Sequence, residues 1–264
     1  MSHPFVPRVG GTMSADIAVP EHDREVQFYS QVLTTGENPF WREDLMNNQG
    51  MPVIGLGKRI PEYADLPLKW MPHIQVADVA ASAERAVALG GKEIMHGKDD
   101  NGNSQWAVLE DLDGVAFGIM PVVPAEAIPA VDEDSSSKLG CIAWLDLTVA
   151  NASASRDFYR EVVGWAADDV EMKDGDDVYV DYNMLSEDGK PAAGICHARG
   201  GNQGVPPVWM LYLPVGDMAE SLRRVEEGGG KIIKERTAEE CGYHYAVIQD
   251  PVGVTIALVQ GSAE

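Results

Sequence analysis

Six histidines are the first place to look for chemistry. Imidazole is a common metal ligand, and its ordinary pKa lies closest to neutrality. His3, His22, His73, His96, His197 and His244 stand far apart in the chain. No pair falls in HxH, HxxxH or HExxH spacing, so no single strand or helix offers two imidazoles to one ion. Cys141, Cys196 and Cys241 are an odd set without CxxC spacing, which argues against a zinc ribbon and against a disulfide framework. No GxxxxGK[ST] or GxGxxG run occurs, so no phosphate cradle is expected. Whatever site this chain has must be assembled from distant segments by the fold.

The elements that could assemble it come in duplicate. VLEDLDGVAFGIMP (108–121) and VIQDPVGVTIALVQ (247–260) both read as strand, Asp/Gly turn, strand. KWMPHIQVADVAASAERAVALGGKEI (69–94) matches VWMLYLPVGDMAESLRRVEEGGGKII (208–233), with Trp70 on Trp209, Met71 on Met210 and Asp78 on Asp217. ADIAVPEHDREVQFYSQVL (15–33) matches LDLTVANASASRDFYREVV (145–163), with Asp16 on Asp146 and Tyr29 on Tyr159. Self-similarity over most of a chain indicates two like domains. We read them as 1–121 and 140–264, joined by a linker over 122–139 that is rich in Pro, Ser and acidic residues.

Within each copy the pattern is strand, helix, strands, and then the same again. Phe28/Val32 and Tyr29/Leu33 stack at i, i+4 and predict a helix over 21–33, repeated at Phe158/Val162 and Tyr159/Val163. Asn151 suits an N-cap, Asp78 and Asp217 each open a second helix near 78–89 and its repeat, and glycines at 90–91 and 228–230 close it. Short strands are expected at 40–42, 52–57, 177–185 and 192–197, with 168–190 as a longer hairpin. The fold class is therefore α+β, four βαβββ units in two tandem domains.

Composition narrows the partners. The net charge of −22 repels phosphate backbones, so nucleic acid is not an expected partner, and the same field would draw a cationic ligand. No apolar run is long enough to span a membrane, and the start lacks the order of a signal peptide, which leads us to expect a cytoplasmic protein, monomer or homodimer.

FYxxV in the first helix, VxDV opening the second and the closing strand–DPxG–strand resemble the vicinal oxygen chelate superfamily. That superfamily includes glyoxalase I, bleomycin resistance proteins and extradiol dioxygenases. More narrowly, the chain resembles two-domain glyoxalase-like bacterial proteins labelled hydroxylases. The resemblance implies curved mixed sheets around a cleft, with metal ligands projecting from fixed strand positions. Those positions carry Ser14, Met71 and Gly118 in the first copy and Trp144, Met210 and Ala257 in the second. None is an imidazole or carboxylate, so neither a metal nor another cofactor is expected.

Counting two residues on from those positions identifies the neighbours that share the cleft face. His73 and Asp16 become the candidate catalytic pair, the carboxylate orienting an imidazole base. Ser14, Met71, Gln75, Trp41, Met120, Asp146 and Tyr212 are candidate ligand contacts. The indole of Trp144 is expected to fill the second cleft and leave the usable pocket in the first. Two functional classes follow: a metal-independent protein that binds or transforms a small molecule, and a metal-dependent lyase or dioxygenase with displaced ligands.

Overall fold

The computed structural model describes residues 7–33, 41–43, 45–48, 50–129 and 139–260. Residues 130–138 of the expected linker, and Phe40 of the expected strand 40–42, lie outside the described residues.

Each half of the chain builds one eight-stranded mixed sheet from two βαβββ units. The first unit runs β1 (Thr12–Val19), α1 (His22–Val32), β2 (Trp41–Arg42), β3 (Leu45–Asn48) and β4 (Met51–Lys58). Its partner runs β5 (Met71–Val76), α2 (Val79–Ala88), β6 (Lys92–Lys98), β7 (Ser104–Glu110) and β8 (Ala116–Pro121). The sheet order is β2-β3-β4-β1-β5-β8-β7-β6, so the two opening strands lie antiparallel at its centre.

The second half repeats this with β9 (Trp144–Val149), α3 (Ala152–Val163), β10 (Ala166–Asp174), β11 (Asp177–Leu185) and β12 (Pro191–His197). Then come β13 (Trp209–Val215), α4 (Met218–Glu227), β14 (Lys231–Arg236), the short helix α5 (Ala238–Cys241), β15 (Tyr245–Gln249) and β16 (Thr255–Gln260). The order β10-β11-β12-β9-β13-β16-β15-β14 is the same topology. The region 168–190, expected as one long hairpin, is the β10/β11 pair plus the turn into β12.

Alternation gives each sheet two different faces. On β1, Ala15, Ile17 and Val19 are buried beneath the helices, while Ser14 and Asp16 point the other way. The helices fit their assigned side for local reasons. Asn151, Asp78 and Asp217 each accept a backbone N–H of the first turn and so cap α3, α2 and α4. Phe28, Tyr29 and Val32 on α1, and Phe158, Tyr159 and Val162 on α3, form the buried stripes.

The helical faces of the two halves pack on one another, α1 against α4 and α2 against α3. Phe28 sits over Gly228 and Gly230, where an added Cβ would lie 2.7 and 2.9 Å from its ring, and Phe158 sits over Gly91 at 3.1 Å. The glycines read as helix terminators thus also make room for an aromatic ring from the opposite module.

The doubled hairpin completes this joint. In each turn the Asp Oδ1 accepts two backbone N–H groups, Asp111 from Asp113 and Val115, Asp250 from Val252 and Val254. Gly114 and Gly253 supply the left-handed residue of the turn, at φ +74° and +95°. Asp Oδ2 is left free to reach across. Asp250 accepts the Tyr29 hydroxyl at 2.7 Å and Asp111 accepts the Tyr159 hydroxyl at 3.0 Å. Each tyrosine oxygen in turn accepts an indole N–H, from Trp70 and Trp209 respectively. The result is two matching Trp–Tyr–Asp relays, each crossing from one module to the other.

Candidate functional site

The opposite, concave face of each sheet carries the candidate residues. In the first module, neighbouring strands bring Ser14 beside His73 and His73 beside Gly118. The His73 ring lies on Gly118, where a Cβ would come within 2.6 Å of it, so glycine here is a seat for the imidazole. His73 Nδ1 is 3.0 Å from Ser14 Oγ, and Nε2 is 3.7 Å from Asp16 Oδ2. Burial pulls the His73 pKa down, and the Asp16 charge opposes this without overcoming it. A shift upward would have followed had Asp16 dominated. Asp16 is instead 55 % exposed, and water screens it.

The other first-module candidates divide. Met120 is half-buried on the concave side of β8, in register with Gln75. Met71 is packed into a small apolar cluster with Leu66, Val108 and Ala116, which leaves it little to offer a ligand. Two expectations need correction. Gln75 is completely buried, its amide N–H bonded to the Gly11 carbonyl and its Oε1 accepting from Val123 N–H, so it straps the two ends of the module together. Trp41 packs against the helix-side core through its pairing with Met46, on the face away from the cleft.

The second module reverses the expectation about Trp144. Its indole walls a cavity of about 490 Å³ on the concave face. The Trp144 Nε1–H donates to Asp146 Oδ1 at 2.7 Å. Asp146 lies flat over Gly194, where a Cβ would fall 2.1 Å from its Oδ1. The same seat recurs in the first module, where a Cβ on Gly55 would fall 2.6 Å from Asp16 Oδ1. The Tyr212 hydroxyl faces the Asp146 carboxyl from β13, in register with Trp144. Burial raises the Asp146 pKa to about 6, with the Asp181 charge adding to the rise.

Asp181, on β11, was not anticipated. It is 3 % exposed and lines the same cavity. Its Oδ1 accepts the His197 backbone N–H at 2.8 Å and contacts the His197 ring nitrogen at 3.0 Å, whereas Oδ2 is buried without a hydrogen-bond donor. Cys196 stands between the two carboxylates, and burial beside them drives its thiol pKa far up, so it remains protonated. Asp181 lies in the longer polar stretch that the first copy lacks, so repeat matching offered no counterpart to single it out.

The metal centre implied by the resemblance does not fit these residues. Met71, Gly118, Met210 and Ala257 supply no imidazole or carboxylate, and Ser14 and Trp144 are engaged by His73 and Asp146. Among the described residues no group of three or more His, Cys, Asp and Glu is arranged to hold an ion. Nor, among them, is any helix long and apolar enough to cross a membrane.

Comparison with known proteins agrees with the fold. Residues 141–258 match the family model of the Glyoxalase/Bleomycin resistance protein/Dioxygenase superfamily, and residues 13–120 match that of the glyoxalase-like domain. A curated relative from Mycobacterium tuberculosis (strain CDC 1551 / Oshkosh), "Putative glyoxylase CFP32", is 30% identical over 129 residues, 48% of each chain. The "Anthracycline biosynthesis protein DnrV" of Streptomyces peucetius is 30% identical over 131 residues, 45% of this chain and 46% of that one. The matched region thus spans about half the length of these relatives.

Among solved structures, the Mn(II)-bound glyoxalase from Novosphingobium aromaticivorans superposes with a TM-score of 0.56 at 16% identity, covering 97% of this chain and 83% of that one. A variant of homoprotocatechuate 2,3-dioxygenase from B. fuscum gives 0.58 at 15%, covering 97% and 72%. At such identities the likeness is one of fold. With both halves matched, the chain belongs to the glyoxalase/bleomycin resistance protein/dioxygenase superfamily.

Proposed function

We propose that this protein binds or transforms a small molecule without a metal ion, in the concave cleft of its second module. The carrying observation is the cavity of about 490 Å³ lined by Asp146 and walled by Trp144, which stands at a replaced metal-ligand position. That volume suits a small metabolite, and apolar walls with a few fixed polar groups are the usual make-up of such sites. Two carboxylates in the cleft and a chain charge of −22 disfavour an anionic ligand. The modules take the limits of the repeat, 1–121 and 140–264, joined through 122–139.

A second reading is favoured by the Ser14–His73–Asp16 group, which is a polar cluster of a different kind in the first module. There His73, held mainly neutral by burial, would serve as base or polar anchor, with Asp16 steering its tautomer. Parallel substitution separates the two readings. With any ligand recovered from the purified protein, Asp146→Asn should abolish binding and His73→Ala should leave it intact. The opposite pattern would move the site to the first module. Restoration of activity by added iron, manganese or zinc after chelation would overturn the metal-independent reading.

A further inference from the structure

The outer edge of the first sheet carries a side-chain cluster whose members line neither the second cleft nor the Ser14–His73–Asp16 group. β6 is the edge strand there and pairs with β7. Glu93 Oε2 lies 3.0 Å from His96 Nδ1, and His96 Nε2 lies 2.8 Å from Ser104 Oγ. A carboxylate can only accept, so in the neutral ring Nδ1 carries the proton and Nε2 is left as an acceptor. The Ser104 hydroxyl therefore donates to the imidazole, which is the polarity of a serine nucleophile beside its base. Two irregularities in the ladder create this alignment. An extra residue on β6 between Glu93 and Met95 brings Glu93 to the face of His96, although residues three apart on a regular strand point oppositely. A second, on β7, sets Ser104 rather than Gln105 opposite Lys98. The hairpin does not need the trio to close it, because Asp99 already accepts the backbone N–H groups of Asn101 and Asn103 and the Asn103 amide. The bonds of the trio run from side chain to side chain.

We propose that Ser104 is the nucleophile of a second site, which transfers the acyl group of small esters with His96 as base and Glu93 as its positioning residue. Ser104 and His96 are half-buried and open to the sheet edge, so an ester reaches them from solvent. Lys98 stands opposite Ser104, exposed and without an ion pair among the described residues, and its ammonium is placed to meet the negative oxygen of a tetrahedral intermediate. In the first step the Ser104 Oγ–carbon bond forms as the hydroxyl proton passes to His96 Nε2. The bond from the acyl carbon to the alcohol oxygen then breaks, and the alcohol leaves with that proton. Water attacks the acyl-serine by the same proton route, releases the carboxylic acid and restores the hydroxyl. The site is separate from the cleft of the second module and goes beyond the reading given for it.

Two probes on the full chain test this: diisopropyl fluorophosphate, followed by intact-protein and peptide mass spectrometry, and p-nitrophenyl acetate, followed by release of p-nitrophenolate. The fluorophosphate should leave one adduct per chain, on Ser104, with fluoride as the leaving group and the hydroxyl proton lost through His96. Ser104→Ala should carry no adduct and should lose the esterase activity of the parent. His96→Gln should slow labelling by about a hundredfold, and Lys98→Gln should slow ester turnover by about tenfold. Glu93→Gln should slow both by about tenfold while Glu93→Asp recovers part of the loss, which a residue that only fills space would not show. Asp146→Asn should leave labelling intact, so a failure here and a failure of the cleft reading stay distinct. Circular dichroism and the melting temperature establish that each variant is folded. Absence of an adduct at Ser104, labelling that proceeds equally in His96→Gln, or equal esterase activity in the parent and Ser104→Ala would overturn the proposal.

Discussion

Glu25 gives the sharpest test of how the modules are joined. It lies on α1, completely buried, next to Asp250 of the opposite module's hairpin, and neither of its oxygens has a hydrogen-bond donor. At the equivalent place in the other joint the chain has Ser155, which donates to Asp113 at 3.2 Å. Burial first, and the Asp250 charge second, raise the Glu25 pKa from an ordinary 4.5 to about 8. A carboxyl raised on folding holds its proton more tightly in the folded state. Its contribution is therefore fully present below pH 4.5 and is lost as the pH climbs towards 8.

One pH unit of difference corresponds to about 1.36 kcal/mol, so at pH 7 the folded protein has given up about 3 kcal/mol relative to pH 4. Glu25→Gln keeps the shape of the protonated acid and abolishes the titration. In urea unfolding followed by tryptophan fluorescence, the variant and parent should be close in stability at pH 4. The variant should pull ahead by about 3 kcal/mol at pH 7 and by somewhat more near pH 8. Parallel pH profiles, or a variant that is less stable at pH 7, would refute the assignment of a protonated carboxyl at this joint.

Other expectations follow from the same contacts. Tyr29→Phe and Tyr159→Phe each strip a buried Asp Oδ2 of its donor, so each should cost about 1–3 kcal/mol. The two losses should add in the double variant, since they belong to separate relays; a cost under about 0.5 kcal/mol from both would show that the relays do not hold the joint. Gly194→Ala should displace the Asp146 carboxylate from Trp144 and abolish ligand binding in the second cleft, whereas Gly201→Ala, with open space around its Cβ, should do neither. Equal binding in the two variants would contradict that packing. A neutral His73 contributes stability that is complete above pH 6.5 and declines as the pH falls through its lowered folded value. His73→Gln should therefore flatten the acid limb of the stability profile, and an unchanged limb would place the titration elsewhere.

Much of the fold is legible in the sequence because its signals are local and repeated. The i, i+4 aromatic stripes, the Asp and Asn caps and the DxxG turns each specify their own element, and duplication doubles the evidence for each. Period-two counting also places Ser14, Asp16 and His73 on one face, since strand register carries that information. Gln75 shares their periodicity but lies where the chain enters and leaves the module, and backbone groups from 11 and 123 claim its amide. No local pattern announces such a long-range strap. Trp41 has no aromatic counterpart in the second copy, yet an unmatched aromatic can equally be core, and its two-residue strand turns it there.

A tryptophan at a former ligand position suggests a plug, but the indole hydrogen-bonds Asp146 and forms the cavity wall. Asp181 and the crossing of Tyr29 and Tyr159 to the opposite hairpins depend on how strands and modules meet, which a single chain read in order does not display.

Native mass spectrometry of the freshly purified full chain addresses the central claim directly, because it weighs bound metal and bound organic ligand together. The expected spectrum contains the bare chain, or the chain plus one small organic molecule that Asp146→Asn releases, with no stoichiometric metal adduct. A chain carrying one or two zinc, iron or manganese ions, retained in that variant and lost only with a chelator, would contradict a metal-independent cleft.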